Sequence, residues 1–129
     1  MIGGIVLTHG DIGTALIQAA ESILGEADNI YGLSTKDISL TDIHLNLKEK
    51  IQAQTWNGGT IIMVSLLGGS CWNSAVGVSK QISNIEVVSG VNLNMLIAFL
   101  SKRAQFSVQT LADIIKEDGV RGISKFSVK

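Results

Sequence analysis

A chain of 129 residues with 46% apolar and 16% charged positions is long enough to bury one core and short for two. Its formal charge of −1 gives no general attraction to nucleic-acid phosphates or anionic lipid, and its single cysteine, Cys71, excludes an intramolecular disulfide and any Cys-rich metal site. The opening MIGGIVLT has no basic n-region before His9 and Asp11, and no run approaches the roughly eighteen apolar residues of a membrane span, so one cytosolic domain over 1–129 is expected.

Residues 2–7, IGGIVL, read as a strand buried on both faces. From Asp11, apolar residues at Ile12, Ala15, Leu16, Ala19, Ala20, Ile23 and Leu24 fall on one helical face, and Gly25 supplies a left-handed stop. NIYGLS (29–34) is a weaker strand. The stretch 39–54 begins with a Ser39 or Thr41 cap and places Ile43, Leu47 and Ile51 on one face of a second helix. GTIIMVSLL (59–67), β-branched and continuously apolar, is the strongest strand, and a third helix follows it with Ser70 or Asn73 as its cap. IEVVSG (85–90) is a fourth strand, 92–103 and 107–119 are two further helices, and GISKFSV (122–128) reads as a last strand at a sheet edge. Strands alternating with helices at this spacing predict a parallel sheet with right-handed crossovers, a small doubly wound α/β domain in three layers.

In such a sheet, ligands collect beyond the carboxyl ends of the strands, where loop amides and helix N-termini converge. Two segments sit between a strand and a helix, THGD (8–11) and LLGGS (66–70). If the first and third strands are neighbours, His9 faces the glycines across one crevice. Gly68 and Gly69 let the backbone approach an anion and turn its N–H groups inward, and Ser70 adds a hydroxyl at a helix start. A neutral imidazole is a nucleophile near pH 7, and its phosphorylated form needs such donors. The bland alternatives are a histidine that only holds a turn, and a Gly-Gly that only makes one. No Walker or G-x-G-x-x-G pattern marks a nucleotide site. His44 reads as a solvated helix residue, and two histidines on separate elements make a poor metal site. Cys71 reads as a half-buried hydrophobe rather than a nucleophile, and Trp56 and Trp72 as core residues rather than rim contacts.

Taken together, IVLTHGDIGTALIQAAESILG (5–25), GTIIMVSLLGGSCWNSA (59–75) and VVSGVNLNML (87–96) resemble the IIA components of the mannose-type sugar phosphotransferase system, in order and spacing over nearly the whole chain. The resemblance implies a four-stranded parallel sheet in the order 2-1-3-4, with a C-terminal edge strand exchanged in a homodimer. It implies a cytoplasmic phosphocarrier without a cofactor. His9 would accept a phosphoryl group on Nε2 from the HPr-type carrier and pass it to a IIB domain, with Gly68, Gly69 and Ser70 cradling it. Contact with the membrane would be indirect, through the IIC and IID permease.

One position departs from the family pattern. Three residues before Gly68 stands Ser65, where better-known members carry an aspartate that hydrogen-bonds the other ring nitrogen. Ser65 can accept an N–H but brings no charge to fix the tautomer or stabilise an imidazolium. Asp11 or Asp37, placed at the same end of the sheet, is expected to supply a carboxylate to the ring from a neighbouring loop. The runner-up reading is therefore a regulatory or binding module of the same fold with impaired transfer. A hydrolase using Ser70 or Cys71 with His9 as base ranks last, because no nucleophile elbow or acidic orienting residue accompanies them.

Overall fold

The computed structural model describes residues 1–128. Its sheet runs β2-β1-β3-β4, with β1 at Ile2–Thr8, β2 at Ile30–Ser34, β3 at Gly59–Val64 and β4 at Ile85–Val88. Every neighbouring pair is parallel: Gly4 lies opposite Ile30 on β2, Leu7 opposite Val64 on β3, and Thr60 of β3 opposite Ile85 of β4. The order and the parallel sense are those implied by the resemblance. They place the exits of β1 and β3 side by side.

The two central strands are buried along their whole length, as the unbroken apolar runs required. Alternate residues feed two cores. On one face Val6, Ile61 and Met63 meet Ile17 and Ala20 of α1 (Ile12–Leu24), Met95 and Phe99 of α4 (Leu93–Lys102), and Leu111 and Ile115 of α5 (Val108–Arg121). On the other, Ile5, Leu7, Ile62 and Val64 meet Ile43, Leu47 and Ile51 of α2 (Leu40–Gln52) and Cys71, Ala75 and Val78 of α3 (Ser70–Ser79). The three predicted positions of α2 are those that it buries.

Gly3 and Gly4, odd members of a buried strand, make room for one aromatic ring on each face. A Cβ at Gly3 would fall inside the indole of Trp56, and one at Gly4 would lie 2.8 Å from Phe99 Cζ. Trp56 stacks on Tyr31 with ring centroids 6.0 Å apart, and its Nε1 donates to Asn29 Oδ1 at 2.9 Å. Lys50 Nζ lies 3.9 Å from the centre of the Tyr31 ring, a cation–π contact. Trp56 is thus a half-buried packing residue at the end of the sheet away from His9, and Trp72 packs against the α2–α3 core.

Several expectations need correction. β3 stops at Val64 rather than running to residue 67, because the chain turns away and leaves Leu66 and Leu67 in solvent. Neither Ser70 nor Asn73 caps α3: the N-cap is Gly69, with no side-chain hydrogen bond, whereas α2 does use Ser39, whose Oγ accepts from Asp42 N at 3.1 Å. Gly119 lies inside α5 instead of ending it, since a Cβ there would come within 2.6 Å of Met95 Cγ. His44 lies in α2 as expected but is only partly solvated: its ring is half-buried against Gly77 of α3, with Nε2 3.1 Å from Gln81 Oε1. Finally, 123–128 form no strand within this chain, and Ile123, Phe126 and Val128 are 77%, 85% and 87% exposed.

The α4–α5 pair is tied at its rim by Lys102, whose Nζ donates to Asp118 Oδ2 at 2.9 Å. That bond, aided by the charges of Lys102 and Arg121, holds the Asp118 carboxyl below its ordinary range. A depressed folded-state pKa favours the fold above the unfolded carboxyl value, about 3.9, and the contribution is lost as pH falls through the folded value.

Candidate functional site

β1 delivers His9 to solvent immediately after the buried Thr8. The chain then leaves the strand: Gly10 sits at φ +82°, a left-handed value suited to glycine, and α1 begins two residues later without a side-chain cap from Asp11. Hydroxyls hold this corner. Thr8 Oγ1 accepts the Gly13 N–H at 3.0 Å and donates to the Gly10 carbonyl at 3.3 Å. Ser34, the last residue of β2, accepts the N–H of Gly10 at 3.1 Å. The next residue, Thr35, donates its N–H to the Thr8 carbonyl at 2.9 Å and brings Oγ1 within 3.6 Å of Cys71 Sγ. The exit of β2, the exit of β1 and the start of α3 therefore meet at one pole.

The second loop reaches that pole from β3. Because Leu7 pairs with Val64, His9 and the turn containing Ser65 and Leu66 leave the sheet from adjacent strands. Gly68 takes φ +80°, and a Cβ built on it would meet nothing within 4 Å, so the outer side of the turn is open. Gly69, extended at φ −81° and ψ −176°, starts α3, whose first internal bond runs from Asn73 N to Gly69 O at 3.0 Å. The N–H groups of Ser70, Cys71 and Trp72 precede that bond, so they have no partner within the helix. Such a helix start is a positive, donor-rich end. Of the residues predicted for the site, His9, Ser65, Gly68, Gly69 and Ser70 all lie on these two neighbouring exits.

Among the described residues, no carboxylate oxygen lies within 4.0 Å of a His9 nitrogen, and the ring makes no hydrogen bond, to Ser65 or to any other side chain. The expectation that Asp11 or Asp37 approaches the ring is not met: both are exposed, and Asp37 adopts a left-handed φ of 60°. No group of three His, Cys, Asp or Glu side chains among the described residues is placed to hold a metal ion. Ser34 and Thr35 lie outside the two loops marked in the sequence, and the role of the Thr8 hydroxyl within THGD was not foreseen. The available signal was the polar pair that ends IYGLST, which a parallel sheet brings to the same pole as His9.

The family model for EIIA-man, described as PTS system fructose IIA component, matches residues 3–116. The chain belongs to this family. The PTS system sorbose-specific EIIA component of Klebsiella pneumoniae is 26% identical over 111 residues, covering 86% of this chain and 82% of that protein. The PTS system mannose-specific EIIAB component of Escherichia coli strain K12 is 29% identical over 130 residues, a match spanning 97% of this chain but 39% of the longer relative. Among solved structures, phosphotransferase system component EIIA of Streptococcus agalactiae superposes with a TM-score of 0.89 at 26% identity, covering 97% of both chains. The match over residues 3–116 thus takes in both loops, 8–11 and 65–70. Among the described residues, no helix is long and apolar enough to cross a membrane.

Proposed function

We propose that this EIIA-man chain, a single domain over 1–129, is a cytoplasmic phosphocarrier of a sugar phosphotransferase system. His9 accepts a phosphoryl group from a histidine-phosphorylated HPr-type protein and passes it to a IIB domain, which phosphorylates the incoming sugar. The observation that carries this reading is an exposed imidazole at the end of β1 beside an open diglycine turn at the end of β3.

In the transfer, an unprotonated His9 nitrogen attacks phosphorus, a new N–P bond forms, and the N–P bond to the donor imidazole breaks. The donor nitrogen recovers its lone pair, so no cofactor is required. Negative charge on the three phosphoryl oxygens is met by the free amides at the start of α3, with Gly68 and Gly69 permitting close approach and the Ser70 hydroxyl as a further donor. Ile12, Leu66 and Leu67, each more than half exposed, give a protein donor an apolar surface beside the reacting atom. The test is incubation with phosphoenolpyruvate, enzyme I and HPr, followed by peptide mapping. One acid-labile phosphate on His9 supports the reading, and a label on any other residue overturns it.

The same reading includes a homodimer. The outer edge of β4 borders a groove of about 550 Å³ lined by Leu67, Trp72, Val87, Met95 and Val120, while the tail carries Ile123, Phe126 and Val128 without cover. A tail strand from a second copy, added to β4, buries both. The expected solution mass is that of a dimer, falling to a monomer when residues 123–129 are removed. A monomeric full-length chain rules the exchange out.

One observation favours a second reading, a regulatory module that binds partners but transfers slowly: among the described residues the His9 ring has no carboxylate partner. A hydrogen bond to a charged acceptor contributes about 1.5–3 kcal/mol against roughly 1 for a neutral one. In that case a partner binds the His9→Ala chain as tightly as the native one.

A further inference from the structure

Resting on the phosphocarrier reading, a second group at the same pole acquires a role. Ser34 Oγ accepts two main-chain N–H groups, from Gly10 at 3.1 Å and from Lys36 at 3.1 Å. A hydroxyl oxygen has two acceptor positions, so both are filled, one from the β1–α1 corner and one from the β2–α2 loop. Gly10 directly follows His9, and its left-handed backbone takes it out of the β1 ladder. Its N–H is held by Ser34 and its carbonyl by Thr8 Oγ1 at 3.3 Å. Both polar groups of the residue after His9 are therefore fixed by hydroxyls, one from each of two adjacent strands. By contrast, no described carboxylate reaches within 4.0 Å of the ring nitrogens. Orientation reaches the imidazole through its own main chain.

We infer that Ser34 is a positioning residue for phosphoryl transfer: by pinning the Gly10 amide it sets the direction in which the His9 side chain leaves β1. Ser34 touches neither the phosphoryl group nor the donor in this role. Removing its oxygen frees the corner to sample other orientations, which lowers the fraction of collisions that place the ring nitrogen in line with phosphorus. Binding of the donor protein depends on Ile12, Leu66 and Leu67 and should be nearly unaffected.

The experiment measures transfer from phosphorylated HPr to the full chain, as native protein, Ser34→Ala and Ser34→Thr, with hydrogen exchange of the Gly10 amide read by NMR. Misplacement of a reacting group by an ångström can cost about a hundredfold, so Ser34→Ala is expected to lower kcat by roughly ten- to a hundredfold. KM should hold, and Gly10 exchange should quicken. Ser34→Thr keeps the oxygen and should recover most of the rate and the protection. If Ser34→Ala does not fold, Ser34→Cys, whose sulfur is a weak acceptor, takes its place. A native chain that is labelled while the oxygen-less variant transfers at the same kcat ends this inference alone. A native chain that takes no phosphate ends the phosphocarrier reading and this inference with it. A raised KM with unchanged kcat also overturns it, because the effect is then on docking.

Discussion

His9→Ala is expected to abolish phosphate uptake from phosphorylated HPr while leaving thermal unfolding within a degree or two of the native chain. The two halves of the expectation have separate causes. His9 is exposed and its ring makes no hydrogen bond among the described residues, so its removal opens no cavity and orphans no buried partner. Surface substitutions of this kind usually change stability by no more than about 0.5 kcal/mol. The chemistry, however, has no substitute. The other imidazole, His44, lies on α2, half-buried against Gly77 and facing Gln81. Neither Ser70 nor buried Cys71 has a base within hydrogen-bonding distance among the described residues, Cys71 having only the Thr35 hydroxyl beside it. Radiolabel incorporation and calorimetry on the same preparation check both halves. Label persisting on His9→Ala places the acceptor elsewhere, and a fall in unfolding temperature of ten degrees gives the histidine a structural duty instead.

The largest expected loss of stability comes from Phe99→Ala. Phe99 is fully buried in the core that α1, α4 and α5 form against the sheet, and its ring edge reaches the space left by Gly4 on β1. Its face also carries the Arg103 guanidinium, 5.3 Å from the ring centre, and Arg103 donates to Asp28 Oδ1 at 2.9 Å. Truncation empties a site where the strand backbone has no side chain to move inward, so collapse is restricted. A cost of about 3–5 kcal/mol is expected, a large part of the 5–15 kcal/mol that holds a typical domain. Urea unfolding followed by circular dichroism measures it. A loss below about 1 kcal/mol would show that α4 settles onto Gly4 and fills the gap.

The elements with strong periodicity were legible, and for a physical reason. The buried positions of α2, Ile43, Leu47 and Ile51, are those that its spacing marks, because a helix with one apolar stripe has a single way to dry it. The central strands were equally plain, since burial on both faces removes polar residues from the run. Errors fell where a residue's role is decided by something distant in sequence. Gly119 looks like a helix stop until Met95 is placed against it. The alternation in ISKFSV has the form of a strand, but the form needs an edge to lie on, and within one chain 123–128 find none. At the candidate site, His9 and the glycines stood out by residue type alone. The hydroxyls of Thr8 and Ser34 did not, because serine and threonine are common everywhere and the Ser34–Gly10 bond spans 24 positions of chain.

The last rung shared by β1 and β3, Leu7 opposite Val64, also marks a boundary for natural variation. Everything below it is committed to two dry cores, where a change of one methyl group is felt. Ser65 lies just above it, half-exposed. A charged residue can replace a neutral one there without disturbing the scaffold that folds the chain.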